Sequence, residues 1–558
     1  INSLFVKMPG AVLENLSGRK LAVLVGALMM CQIVCFLIGG LIAPAPTNVM
    51  SVLGQKCIDF NHKLDKDKWF YPRSADNQGC TVVEKFTDPI IQENQINANQ
   101  IVFTFQLPLP RGGVQLDYSR WQQNLIGVLM PDIAYSEWNE LKQDPVITLD
   151  LRMGYRDLGD GDGDWKLLAS SVEQRKLDCS IDVKKEDYYY NCSMMPLFEL
   201  GSLHHDMYLL NIRLPVDAMG TTNTELGQLV DLWLVVINQN GGFTKVWVSM
   251  KTVFLPVVLL IIAWFWRRVK LLPREPATLE YMLLCLGGAI TLLNIPFEFL
   301  TLLFDMPFML LLTDIRQGVF YAVLFSFWLV FAGEHLMINE DDVPRNSIRA
   351  YWKHLSAVVF GCLCLFIFDM CERGTQLKNP FYSIWVTETG ANIALGFIIL
   401  AGISVCLYFL FLSYMIWNVF KNISHKRTSL PSMSNLRRLH YEGIIYRFKF
   451  LMLFTLLCAA LTVISFIIGQ ASEGRWKWDE DINLQYTSAF FTGVYGMWNI
   501  YVLALLGMYA PSHKRWPNDP TDSHMNSASG EEIEFSRLPT EPSESSSLST
   551  YMRKPATE

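Results

Sequence analysis

The 558-residue sequence has no excess of positive charge; its formal net charge is −7. A nucleic-acid-binding face needs clustered base. Here the Lys and Arg residues gather instead at a few connections along the chain. There is no His-Glu-x-x-His and no Gly-x-Ser-x-Gly, so the common zinc-peptidase and serine-hydrolase constellations are missing. No His falls within the middle of an apolar run, and His335 sits at the end of one. A membrane acyltransferase or metalloprotease needs His or paired acids at that depth. Asp160-Gly161-Asp162-Gly163-Asp164 looks like a calcium loop, but Trp165 replaces the needed Gly and Ser171 stands where the bidentate Glu belongs. It reads as a hairpin loop. No internal repeat stands out, no metal or cofactor is expected, and the chain reads as a non-enzyme.

What is abundant is apolar surface. Hydrophobic residues make up 51% of the chain and the mean hydropathy is +0.22, which points to a membrane protein. Ile1 opens the sequence and Met8 is the candidate initiator. Residues 21–43 form an apolar run behind Arg19 and Lys20. That run exceeds a secretory h-region and suits an uncleaved signal anchor; a cleaved signal peptide ending near 44–46 is the alternative. From 44 to 246 no run is apolar enough to span a bilayer. Segments 101–107, 146–153, 207–214 and 229–237 are β-branched or alternating, which predicts a β-sandwich of about seven to nine strands. Further apolar runs lie at 252–266, 277–303, 308–332, 355–368, 391–420, 448–468 and 489–510. Lys251, beside the first of them, is positioned to snorkel. The predicted fold is a polytopic α-helical membrane protein with about eight spans and a lumenal all-β domain. Its segments are a cytosolic N-terminus (1–18), a first span (19–43), the lumenal sandwich (44–246), a helical membrane bundle (247–510) and a disordered Ser-, Pro- and acid-rich tail (511–558).

Charge sets the orientation. Arg267, Arg268, Lys270 and Arg274, then Arg345, Arg349 and Lys353, then Lys421, Lys426, Arg427, Arg437, Arg438, Arg447 and Lys449, and finally Lys514 and Arg515, fall on alternate connections. By the positive-inside rule that side is the cytosol, which places both termini there and the 44–246 domain in the lumen. Of the twelve cysteines, Cys57, Cys80, Cys179 and Cys192 lie in that domain and predict disulfides. Each pairing is open; Cys57–Cys80 and Cys179–Cys192 are favoured because they close short loops. Asn191-Cys192-Ser193 is an N-glycosylation acceptor on the lumenal side. Asn15-Leu16-Ser17 and Asn422-Ile423-Ser424 match the pattern on the cytosolic side and should stay unmodified.

Ionisable residues inside spans cost about 2.5–3.5 kcal/mol each at a helix centre and mark function. Glu298 with the polar Asn294 one turn away, Asp305 in the short turn that follows, Asp314, Arg316, Asp369 and Arg373 all fall in the lumenal half, with Asp369 and Arg373 spaced for an intrahelical ion pair. They predict one polar vestibule opening toward the sandwich above an apolar interior. Helix-end charges that only staple neighbouring spans are the plainer reading. Tyr441, Glu442, Gly443 and Ile444 fit a Tyr-x-x-Φ endocytic signal on a cytosolic connection; the first turn of the following span is the plainer reading. His204 and His205 are adjacent in the lumenal domain, where an ordinary His pair competes with a pH-sensing one.

Several segments together resemble the Wntless (Evenness interrupted) family. They are Leu13-Glu14-Asn15-Leu16-Ser17, Gly39-Gly40-Leu41-Ile42-Ala43-Pro44, Asn238-Gln239-Asn240-Gly241-Gly242-Phe243-Thr244-Lys245, Asp314-Ile315-Arg316-Gln317-Gly318, Phe368-Asp369-Met370-Cys371-Glu372-Arg373-Gly374, Asn379-Pro380-Phe381-Tyr382-Ser383-Ile384-Trp385, Arg438-Leu439-His440-Tyr441-Glu442-Gly443 and Tyr509-Ala510-Pro511-Ser512-His513-Lys514. Tyr118-Ser119-Arg120-Trp121-Gln122-Gln123-Asn124 resembles an invertebrate, insect member. The resemblance implies a GOLD-like lumenal sandwich and a receptor-like bundle built from the last seven spans. It implies a sorting receptor that binds palmitoleoylated Wnt proteins, with the acyl chain in a bundle cavity and the Wnt body on the lumenal domain. Trp121, Tyr155, Phe198, His204 and His205 are the candidates for that lumenal contact. The family cycles among Golgi, plasma membrane and endosomes, and also the ER, using a clathrin adaptor and retromer. Its Tyr-Glu-Gly-Leu signal is matched here with Ile444 in the last place. The tail ends Arg553-Lys554-Pro555-Ala556-Thr557-Glu558 and departs from the vertebrate retrieval sequence. A seven-helix signalling receptor for a lumenal or extracellular ligand is the alternative, although no Asp/Glu-Arg-Tyr motif closes a cytosolic helix end.

Overall fold

The computed structural model describes residues 11–60, 70–73, 80–110, 114–161, 163–186, 188–217, 222–224, 226–272, 275–336, 351–429, 442–443, 445–446, 448–458, 460–462, 464 and 485–512. Tyr441, Ile444, Asp162 and the tail beyond 512 lie outside these residues.

The part between the first long helix and the later helices is an antiparallel sandwich. One sheet has the order β1 (Thr47–Leu53), β12 (Gln228–Gln239), β5 (Leu125–Ala134), β10 (Met195–Leu200). The other has the order β3 (Thr81–Val83), β2 (Gln55–Ile58), β4 (Ile101–Leu107), β11 (Met207–Arg213), β6 (Val146–Arg156), β7 (Lys166–Lys176). A small ladder pairs β8 (Cys179–Ser180) with β9 (Asn191–Cys192). The strands outnumber the expected set because β2, β3, β8 and β9 are too short to show a period of two. Pairing partners, not local pattern, make them strands. Along β5 buried and half-buried residues alternate, as one-sided packing demands. Every residue of β11 is buried, because a further segment covers its outer face: Tyr71 N–H donates to Asn211 Oδ1 at 2.9 Å and Asn211 Nδ2 donates back to Tyr71 O at 3.1 Å. Phe103, Phe105, Leu129, Leu210 and Leu234 fill the space between the sheets. Cys57 is bonded to Cys80 and Cys179 to Cys192. The Asp160–Asp164 segment is the hairpin connection between β6 and β7, tied by Lys166 Nζ to Asp160 Oδ2 at 2.9 Å.

Nine helices matter for the membrane part. They are α1 (Gly18–Leu37), α2 (Gly241–Lys270), α3 (Thr278–Asn294), the short α4 (Glu298–Thr301), α5 (Met309–Leu336), α6 (Trp352–Gln376), α7 (Glu388–Ser429), α8 (Phe448–Thr462) and α9 (Gln485–Met508). Among the described residues seven helices are long and apolar enough to cross a membrane. The remaining expected span, 448–468, is described as the shorter apolar helix α8, and its far end lies outside the described residues. Helix α2 starts at Gly241, ahead of the boundary expected at 246, because Asn240 caps it: its side chain accepts from Gly242 N–H at 2.8 Å. The first turns of α2 are too polar to read as span, yet they carry the strand-to-helix junction. Thirty residues give α2 a length of about 45 Å, so Arg267, Arg268 and Lys270 end far from the sandwich.

Helix α1 packs on α9 rather than within the ring of later helices. The approach is close just past the end of α1, at Gly39, where a Cβ would lie 2.1 Å from Thr492 Oγ1. Gln32 Nε2 reaches the Gly493 carbonyl at 2.8 Å. Ahead of α1, Leu13 is fully buried in the bundle core with Phe331, Tyr509 and Ala510, and Val12 N–H donates to Ala510 O at 2.9 Å. The two ends of the described chain therefore meet on the face opposite the sandwich.

Candidate functional site

Two adjoining cavities lie where the sandwich meets the helices. The larger, about 580 Å³, is enclosed by α2, α3, α4, α5, α8 and α9, with Gln123, Gly201 and Gln239 of the sandwich above it. Phe320, Tyr321, Phe490, Phe491, Val494 and Trp498 give it mostly apolar walls. The smaller, about 230 Å³, lies between the sandwich and the upper ends of α5 and α6, and is lined by Glu199, His204, His205, Asp305, Arg373 and Lys378 among others. Gly201 and Leu310 line both, so the polar cleft and the apolar cavity share a wall. Gly201 is required there: a Cβ would lie 2.3 Å from the Pro307 carbonyl oxygen.

The single vestibule expected from sequence is two sites. Asp314 and Arg316, two residues apart, stand about 200° apart around α5. Arg316 turns into the large cavity, where its Nη2 lies 3.6 Å from Glu298 Oε1 and its Nη1 donates to the Ile295 carbonyl at 2.8 Å. That carbonyl lies at the end of α3, which Pro296 terminates, and it also accepts from Phe297 N–H at 2.9 Å, so Arg316 is its second donor. Glu298 follows on the short α4 and takes Lys251 Nζ at 2.5 Å. Lys251 is 3% exposed; it does not snorkel to the interface as expected but points inward to this carboxylate. Among the described residues Glu298 Oε2, Arg316 Nε and Trp498 Nε1 are buried without a hydrogen-bond partner. Asn294 does not line the cavity. It stands behind the wall, donating to Asn499 Oδ1 at 2.6 Å and accepting from Tyr495 OH at 2.5 Å, and so fixes the Tyr495 ring that does line it.

Asp314 turns the other way, to α6. Arg373 Nε donates to Asp314 Oδ2 at 2.8 Å and its Nη1 to Glu199 Oε1 at 2.7 Å on β10. The expected Asp369–Arg373 pair is therefore not made; the guanidinium instead ties two helices to the sandwich. Asp305 lines the small cleft. His204 and His205 line it too, with His205 stacked on Tyr155 at 3.7 Å and its Nδ1 3.1 Å from Asp157 Oδ1. Burial pushes the nearby Tyr208 phenol up from its ordinary value, so it stays protonated at any physiological pH. Trp121 lies outside both cavities, at the base of the sandwich, with its ring edge against Phe299 and Lys245 Nζ 5.6 Å from it. Phe198 cannot be a surface contact. It is 4% exposed and packs in the sandwich core against Phe381 of the α6–α7 connection. Glu442 and Gly443 are helical and Gly443 is buried, while Tyr441 and Ile444 of that segment lie outside the described residues.

Lys251, Tyr495 and Glu199 were not singled out by sequence as site residues. Lys251 carried a signal, a charge beside an apolar run. The others carried none, since each gains its role from a neighbour distant in sequence.

The model "Wntless, GOLD domain" matches residues 55–239 and "Wntless-like, transmembrane domain" matches residues 240–513. The chain is 57% identical to "Protein wntless" of Drosophila virilis over 565 residues, covering 98% of this chain and 100% of that one. It is 57% identical to "Protein wntless" of Drosophila pseudoobscura pseudoobscura over 566 residues, covering 99% and 100%. For the Drosophila erecta protein of the same name the identity is 55% over 564 residues, covering 98% and 100%.

Proposed function

The chain belongs to the Wntless family, and from that premise we propose that it is a non-enzymatic cargo receptor for lipid-modified Wnt proteins. The acyl chain lies in the apolar cavity. The peptide that bears it passes through the polar cleft beside His204, His205 and Asp305, and the sandwich holds the rest of the Wnt body. The observation that carries this reading is the cavity of about 580 Å³, a size within the range of about 300–1,000 Å³ that suits small-molecule ligands. A water-exposed acyl chain is unfavourable by about 0.8 kcal/mol per CH₂. A carrier must offer apolar walls below a polar entrance, and the shared wall at Gly201 and Leu310 supports that division of labour.

The test is co-purification of the full-length protein with a Wnt protein that has, or lacks, its acylated serine. Only the acylated form should be retained. Val494→Trp, which fills the cavity from α9, is expected to displace about three methylenes of the acyl chain. That corresponds to about 2.4 kcal/mol and a roughly fiftyfold weaker complex. Equal retention of both Wnt forms, or an unaffected Val494→Trp variant, would sink the reading.

The receptor works at Golgi, plasma membrane and endosomes, and also the ER, with both termini cytosolic and the sandwich in the lumen. Return from the surface uses a clathrin adaptor reading Tyr441 to Ile444, and then retromer. Because Glu442 and Gly443 are helical, the signal must unwind locally to be read as an extended strand. Tyr441→Ala is expected to raise the surface level and slow antibody uptake; an unchanged uptake rate would rule the signal out.

A further inference from the structure

We propose that Asn191 is an N-glycosylation site whose occupancy is set by a race between sugar transfer and closure of the Cys179–Cys192 disulfide. The acceptor tripeptide is Asn191-Cys192-Ser193, and Asn191 is exposed. It lies toward the far end of the sandwich from the membrane. Strand β5 starts at Leu125, paired with Asn238 next to α2, and runs to Ala134, about 30 Å away; Ala134 bridges to Tyr189. The surface at Asn191 is open, with Asn191 itself exposed and Tyr189 57% exposed, so a bulky sugar has room.

In the folded protein, however, the tripeptide is locked. Asn191 pairs with Ser180 and Cys192 with Cys179 in the β8–β9 ladder, and the disulfide crosses that ladder. Ser193 N–H donates to the Asp178 carbonyl at 2.7 Å and its hydroxyl to Asp178 Oδ2 at 3.3 Å. A transferase must bind the asparagine and the serine hydroxyl together on an accessible chain. Once the ladder forms, the backbone and hydroxyl are both engaged elsewhere. Transfer therefore precedes closure. Cys179 enters the lumen ahead of Cys192, with a separation of only 13 residues, so the loop can close as soon as Cys192 emerges. The donor is a polyprenyl-diphosphate oligosaccharide. Asn191 Nδ2 bonds to the anomeric carbon, the bond from that carbon to the diphosphate oxygen breaks, and the amide proton leaves to a base. No oxidant or reductant is needed for this step.

The proposal rests on the sandwich lying in the lumen, and a control separates the two. Lys85→Asn creates an acceptor two residues ahead of Thr87 on an exposed turn of the sandwich. The full-length chain, translated into microsomes with and without dithiothreitol, is digested with an N-glycanase. The expected result is a partly shifted wild type, a shift abolished by Asn191→Gln, and a larger glycosylated fraction in Cys179→Ser or under dithiothreitol. Because the shift is read on the nascent chain, it does not depend on that variant folding. A wild-type fraction unchanged by Cys179→Ser and by dithiothreitol overturns the race. No shift in wild type or Cys179→Ser while Lys85→Asn is modified overturns the site. No shift in Lys85→Asn overturns the lumenal placement, and the proposal with it.

Discussion

Glu298→Ala is expected to destabilise the full-length protein by about 3–5 kcal/mol. In the wild type one carboxylate oxygen takes both Lys251 Nζ at 2.5 Å and Arg316 Nη2 at 3.6 Å. The three residues are 3%, 5% and 1% exposed for Lys251, Glu298 and Arg316, so water cannot screen what remains. Removing the acid leaves two cations facing each other in an apolar interior. The charges themselves are not required for stability. Replacing the whole set with apolar residues of similar volume, as in Lys251→Met, Glu298→Leu and Arg316→Met together, removes both the repulsion and the desolvation cost and should restore the unfolding temperature. Detergent-solubilised protein followed by thermal unfolding reads both variants. Wild-type stability in Glu298→Ala would refute the triad as drawn. The triple variant, stable but stripped of charge, then reports what the triad contributes to cargo capture.

Phe381→Ala is the second large effect, and it acts on the joint between domains. The ring projects from the α6–α7 connection and is fully buried in the core of the sandwich. Its backbone is clasped as well: Arg175 Nη2 donates to the Phe381 carbonyl at 2.6 Å, and Glu199 N–H to the Pro380 carbonyl at 2.9 Å. Truncating a buried Phe costs about 3–5 kcal/mol. Both sheets of the sandwich keep their own ladders, so the loss should appear as undocking rather than global unfolding. Hydrogen exchange at Glu199 N–H is the direct readout, with an acceleration of about a hundredfold or more expected. Unchanged exchange there would mean that the clasp does not hold the joint. Since the polar cleft lies between these parts, capture of acylated Wnt should fall together with docking.

The elements were largely legible because they depend on local quantities. The apolar runs, their lengths and the alternation of basic connections sum residue by residue along the chain. The long strands β4, β6, β11 and β12 were equally visible from β-branched and alternating residues. The short strands were not, since a strand of two to four residues has no period to read. Family membership was legible from contiguous motifs such as Asp314 to Gly318.

The site was read less well, and for one physical reason. Sequence determined that charges sit in the half of the spans nearer the sandwich, since the cost of each depends on its own depth. It also determined, through the angular step of a helix, that Asp314 and Arg316 point apart, although the expectation of a single vestibule overlooked this. Which charge answers which was decided only by tertiary structure. Arg373 takes Asp314 and Glu199 rather than its helical neighbour Asp369, Lys251 turns inward to Glu298, and Phe198 disappears beneath Phe381. Each of these pairings joins residues on different elements, and its energy exists only once those elements have packed.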